Sequence, residues 1–207
     1  MKMVAQNQAE FSFDRAPDPA APGRGGADRK PCNFYFALRP DERAAEQTRR
    51  MAGDLRRRFG LREKPRPKRL LHVSLCHLGE WDAIPPSMLF DGLAAAAAVR
   101  MRPFKLTFRR AVSFRQGKPA LVLRADEGRQ EVLSLHAQLA LSLLNRGVSV
   151  RVQPKLEPHM TLLYDYRSVP ETILSEPIVW TAKSFVLVNS LVGEGRHVDI
   201  EEWPLLG

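Results

Sequence analysis

The 207-residue sequence carries only two cysteines, Cys32 and Cys76, spaced for neither a zinc site nor a disulfide framework. That scarcity fits a reducing compartment and predicts a cytoplasmic protein. No apolar run approaches the ~20 residues that cross a bilayer, and the N-terminus lacks the charged start and apolar stretch of a signal peptide. No membrane partner is expected. Acidic residues are also in short supply: 23 Asp and Glu stand against 32 Lys and Arg, giving a formal net charge of +9. Between Asp91 and Asp126 there is no carboxylate among eight basic side chains. This balance points to anionic partners, such as nucleic acid or nucleotides.

What is present supports a folded chain. A hydrophobic fraction of 44% is ordinary for a globular protein with one core, or with two small lobes that share one. Residues 1–30 have almost no periodic apolar pattern, and the stretch from Ala16 to Asp28 is Pro, Ala, Gly and charge, so they read as a mobile tail. Residues 31–207 read as a single domain of two lobes.

Within that domain Phe34 to Leu38 has the aromatic richness of a buried strand, though one ring of Phe34, Tyr35 and Phe36 is placed to stack on a base. Asp41 then caps a helix that runs to Phe59 and stops at Gly60. A basic, Pro-broken loop from Glu63 to Arg69 leads to a strand over Leu70 to Leu78. Pro86 to Arg100 suits a helix, Phe104 to Phe114 and Ala120 to Arg124 a strand pair turning at 116–119, and Glu127 to Arg146 a long helix capped at Gly147. A strand from His159 to Tyr164 follows the lead-in Lys155 to Pro158. Ser184 to Val192 and His197 to Trp203 form a closing hairpin around Gly193 to Gly195. Hairpins interleaved with helices predict an α+β fold rather than a doubly wound parallel sheet.

One chemical element occurs twice. Leu71-His72-Val73-Ser74-Leu75 and Pro158-His159-Met160-Thr161-Leu162 share the order His, apolar, Ser/Thr, Leu. Side chains alternate along a strand, so His72 and Ser74 share one face, as do His159 and Thr161, while Val73 and Met160 turn away. Two such strands side by side would give two imidazoles and two hydroxyls around one cavity. One neutral histidine could take a proton from water and one protonated histidine could give a proton to a departing ribose oxygen. The Ser74 and Thr161 hydroxyls could donate to non-bridging phosphate oxygens.

At these residues the sequence resembles the 2H phosphoesterase superfamily, and within it the RNA 2',3'-cyclic phosphodiesterases, also called 2'-5' RNA ligases. The opening strand Phe34 to Leu38 with Pro40 and a helix behind it, the run from His72 to Gly79-Glu80, and Pro158 before the second motif extend the likeness over residues 32–204. The resemblance implies a two-lobed, pseudo-twofold fold with two antiparallel-rich sheets flanking a central cleft and helices outside. It implies no cofactor or metal, His72 as acid and His159 as base, and hydrolysis of 2',3'-cyclic phosphate at RNA ends or nucleotides to a 2'-phosphate. Ligation of 2'-5' linkages would be the reverse reaction. Two departures stand out: Ser74 replaces the commoner Thr, and the second motif continues as Leu163-Tyr164 where the bacterial enzymes often have a small residue and then Arg.

Other readings compete with this one. A non-catalytic RNA-binding protein of the same fold would explain the charge, and another cyclic nucleotide or a 2'-5' oligonucleotide would suit the same chemistry. A metal site lacks second ligands at the right spacing. Cys76 shares the His72 face by alternation and reads as apolar filler. His77 falls on the opposite face of its strand, His136 on the apolar stripe of the long helix, and His197 at a strand start without an evident partner. The basic residues from Arg49 to Arg69 and those between Asp91 and Asp126 bracket the first motif in sequence and suit phosphate contacts. A monomer is expected.

Overall fold

A computed structural model describes residues 31–115, 119–149 and 156–206. The expected tail at 1–30, the turn residues 116–118 and the lead-in at Lys155 lie outside the described residues.

Eight strands and three helices follow in the order β1 (Cys32–Leu38), α1 (Glu42–Phe59), β2 (Val73–Trp81), α2 (Pro86–Ala97), β3 (Phe104–Phe114), β4 (Ala120–Glu127), α3 (Arg129–Leu144), β5 (His159–Tyr164), β6 (Thr172–Ala182), β7 (Ser184–Leu191) and β8 (Arg196–Pro204). All pairings are antiparallel, in the spatial order β6-β3-β4-β5-β2-β1-β7-β8. Among the described residues the two halves, β6-β3-β4-β5 and β2-β1-β7-β8, join in the sheet only through the Val73 and Met160 pair between β2 and β5. The two expected sheets thus meet as one eight-stranded sheet of the α+β class. In each half a strand, a helix and a motif strand follow in sequence: β1-α1-β2 and β4-α3-β5. The helices cross over, so that α1 packs on β5 and β6 while α3 packs on β2.

Local chemistry accounts for most element ends. The Asp41 carboxylate accepts the Ala44 N–H at 2.8 Å, and Gly60, at φ 60°, closes α1 in the left-handed region. β4 runs to Glu127, beyond the expected Arg124, and α3 starts after Gly128. Gly128 sits at φ 82°, where an added Cβ would lie 2.2 Å from the Lys105 carbonyl oxygen, so only glycine fits this strand-to-helix corner. The sequence pattern does not predict β6. It is an edge strand that holds Pro177 and bulges between its pairings with Phe108 and Arg110, and both features break its alternation.

The main core lies on the helical side of the sheet. Phe34, Phe36, Phe108, Leu123, Leu135, Leu139 and Phe185 are sealed there with Val73 and Met160. Tyr35 and Ala37 belong to a separate small cluster with Val186 and Val188.

Candidate active site

The pairing of Val73 with Met160 sets the geometry of the site. In an antiparallel register it places His72 opposite Thr161 and Ser74 opposite His159, and each such cross-strand pair stands roughly 4.5–5.5 Å apart. His72 and His159 are then diagonal neighbours, roughly 7–8 Å apart at the backbone. With Val73 and Met160 both fully buried on the helical side, the four polar side chains share the other face. All four line one cavity of about 470 Å³. A larger groove of about 820 Å³ lies between α1 and β6, but no histidine is among its described lining residues, and of its carboxylates Glu46 is ion-paired to Arg50 and Asp54 to Arg57.

The two imidazoles are held alike. His72 Nδ1 lies 2.8 Å from the Leu70 carbonyl and His159 Nδ1 lies 2.8 Å from the Glu157 carbonyl. A carbonyl only accepts, so each ring carries its proton on Nδ1 and leaves Nε2 as its basic nitrogen. β2 begins at Val73 rather than Leu70, because Lys68–Leu70 form a single 3-10 turn. That turn brings the Leu70 carbonyl under the His72 ring.

The surroundings of the two rings differ. Burial holds His72 well below the usual histidine pKa, and the positive charges of Arg66 and Arg39 add to this, against the pull of the Leu70 carbonyl. Burial also lowers His159, but the Glu157 carbonyl and carboxylate both work the other way. Phe114 packs edge-on against the His159 ring at 4.9 Å.

Tyr35 is the aromatic of the opening strand that reaches the cavity, whereas Phe34 and Phe36 stay in the core. Its ring lies 5.2 Å from that of His72, and burial raises its hydroxyl pKa. His197, without an evident partner in the sequence, also lines the cavity. Its ring centroid is 5.3 Å from that of His72, and its nitrogens lie 3.4 Å from the Tyr35 hydroxyl. Arg39 donates to His197 Nδ1 at 3.3 Å and is ion-paired to Asp199. Burial and the charges of Arg39 and Arg66 hold His197 at about 4, so it is neutral at physiological pH. Only the joining of β1 to β8 through β7 brings His197 to this place, and no sequence spacing encodes that.

Two placements differ from the simple alternation of the sequence. β2 carries a bulge at Leu75, since Ser74 pairs with Ala37 and Cys76 with Phe36. The extra residue shifts the phase of the strand. Cys76 therefore turns into the main core, where burial pushes its thiol up to about 12, and His77 shares the Tyr35 side without lining the cavity. His136 is buried, its Nδ1 2.8 Å from the Leu75 carbonyl. Among the described residues no group of three or more His, Cys, Asp or Glu side chains is placed to hold a metal ion.

The sequence profile of the 2'-5' RNA ligase superfamily matches residues 40–194. No curated protein sequence matches. Among solved structures, TT0787 of Thermus thermophilus is 23% identical with a TM-score of 0.68, and the match covers 84% of this chain and 98% of that one. LigT of E. coli in complex with 3'-AMP is 21% identical with a TM-score of 0.69, over 86% of this chain and 100% of that one. LigT has also been solved in complex with NADP+ and with ATP. These likenesses concern the fold.

Proposed function

The chain belongs to the 2'-5' RNA ligase superfamily, and from that premise we propose that it hydrolyses 2',3'-cyclic phosphate at RNA ends or on nucleotides to a 2'-phosphate, without a metal, through His72 and His159. The crossed register at Val73 and Met160 carries this reading, because it sets two imidazoles diagonally about a space flanked by two hydroxyls.

Water attacks phosphorus in line with the departing 3'-oxygen. One histidine Nε2 takes the proton from the water while the other gives its proton to that oxygen. Ser74 and Thr161 donate to the non-bridging oxygens as charge builds on them. The same displacement with a ribose 5'-hydroxyl in place of water joins a 2'-5' linkage. The surroundings of the rings favour His159 as the acid, because Glu157 eases its protonation, and His72 as the base, because burial and the charges of Arg66 and Arg39 keep it neutral. This is the reverse of the order the family resemblance implies. A cavity of about 470 Å³ suits a nucleotide, and the nucleotides bound to LigT support a substrate of that size.

Turnover of a nucleoside 2',3'-cyclic phosphate in the presence of EDTA tests the reading. Activity that persists in the chelator and disappears in the His72→Ala and His159→Ala variants is the expected result. RNA binding with no turnover by the wild type would instead establish a non-catalytic binding protein.

A further inference from the structure

Among the described residues two arginines line the cavity, Arg66 and Arg196, and no carboxylate does. Arg196 is ion-paired to Glu194, Arg39 behind the cavity to Asp199, and Arg69 donates to the Gly195 carbonyl. Arg66 makes no ion pair among the described residues, and its buried Nε has no hydrogen-bond partner there. A buried guanidinium nitrogen left without an acceptor is costly. Such a cost is tolerated most readily where a ligand supplies the missing acceptor.

The backbone under Arg66 is built to hold still. Pro65 and Pro67 flank it and restrict its conformation. The Arg66 N–H donates to the Leu162 carbonyl of β5 at 2.7 Å, one residue beyond Thr161. At the start of the same loop, the Asp165 carboxylate accepts the Arg62 and Glu63 N–H groups at 2.7 and 3.1 Å. The guanidinium itself lies over the Tyr164 ring, 5.6 Å from its centroid. Stacking on an aromatic face orients an arginine while leaving its edge donors available.

The reaction needs such a group. As water adds to phosphorus, negative charge grows on the two non-bridging oxygens, and the Ser74 and Thr161 hydroxyls offer only neutral donors. A guanidinium matches two oxygens with paired, charge-assisted hydrogen bonds. We propose that Arg66 is a further catalytic residue, whose guanidinium, carried on the Tyr164 ring, grips the non-bridging phosphate oxygens through the reaction. The role rests on the hydrolytic reading of the cavity. In the step the water oxygen bonds to phosphorus, the bond to the 3'-oxygen breaks, and the protons move through the histidines. Arg66 neither gains nor loses a proton. Its charge also reaches His72 and His197 and disfavours their protonation, which places the guanidinium in the same electrostatic environment as the reacting groups.

The test measures inorganic phosphate binding by calorimetry and turnover of cytidine 2',3'-cyclic phosphate in Arg66→Met, Arg66→Lys and Lys183→Ala, a control at an exposed residue outside the cavity lining. Arg66→Met is expected to weaken phosphate binding about tenfold or more and to lower kcat by about 10²–10³-fold. Arg66→Lys is expected to recover part of both, and Lys183→Ala neither loses nor gains. Should the methionine variant not fold, the lysine variant decides: it keeps the charge but not the fork, so it must still lose part of kcat. Wild-type levels of phosphate affinity and kcat in the Arg66 variants overturn the proposal. A wild type that binds phosphate through Arg66 but does not turn over the cyclic substrate overturns the hydrolytic reading and the catalytic role with it, while leaving Arg66 as an anion-binding residue.

Discussion

Val73 and Met160, both wholly buried, face each other where the two halves of the sheet are paired. That pair places each motif histidine opposite the other motif's hydroxyl, so the site belongs to neither half alone. The first consequence concerns the histidines themselves. His72→Ala and His159→Ala should each lower kcat by about 10²–10⁴-fold while inorganic phosphate still binds. A substrate whose departing 3'-oxygen is replaced by sulfur needs little protonation, so it should restore much of the activity of the acid's variant alone. Recovery is expected in His159→Ala. Recovery in His72→Ala would assign the acid to the first motif instead.

The crossed register makes a second prediction. Ser74→Ala and Thr161→Val should each reduce kcat by about 10²-fold, as the loss of one donor to the building charge does. In double-mutant cycles read through affinity for a nucleoside 2'-phosphate, His72 should couple more strongly to Thr161 than to Ser74, by more than about 0.5 kcal/mol. Equal coupling, or stronger coupling within one motif, would contradict the idea that the cross-strand neighbours work as units.

The pH dependence follows from the direction of the pKa shifts. Both histidines lie below the ordinary 6.5 in the unliganded protein, His72 furthest, chiefly through burial. The proposed reaction needs one ring protonated and the other neutral. Above pH 6.5 the neutral partner is already complete and each further rise depletes the protonated one, so kcat/KM should fall steadily through pH 7 and 8. A bound phosphate anion favours the protonated rings and should carry the alkaline limb of kcat to higher pH than that of kcat/KM. A kcat/KM optimum above pH 7 would show that the rings are not held neutral in the free protein.

Much of this site is legible in the sequence, and what is not has physical causes. The capped helix from Asp41 to Gly60 and the two motifs depend on local chemistry and period-two alternation, and the structure brings His72, Ser74, His159 and Thr161 to one cavity. Alternation misplaces Cys76 and His77 because the bulge at Leu75 adds a residue that no turn signal marks. β6 is hidden by Pro177 and by its own bulge. His197 and Arg66 reach the cavity through strand order and loop anchoring, and both depend on contacts between residues far apart in the chain. Only the basic character of the loop around Arg66 could have drawn notice to it.

The bulge that shifts Cys76 also leaves Leu75 unpaired with β1, and its carbonyl is taken by His136 of α3 at 2.8 Å. One imidazole thus ties the second half's helix to the strand that carries the first motif. His136→Leu keeps an apolar side chain against the core but strands the Leu75 carbonyl, which costs about 1–3 kcal/mol. The loss is moderated because the histidine's own Nε2 is buried without a partner, so the substitution removes one unsatisfied atom as it creates another. Chemical denaturation should therefore show a loss toward the lower end of that range, with His136→Asn, which retains a donor, falling between Leu and the wild type. The side chain lies on the helical side of the sheet, away from the cavity lining, so kcat at temperatures well below unfolding should stay within the same order of magnitude. If kcat collapsed while stability held, His136 would be acting on the position of the motif strand rather than on the packing of the fold.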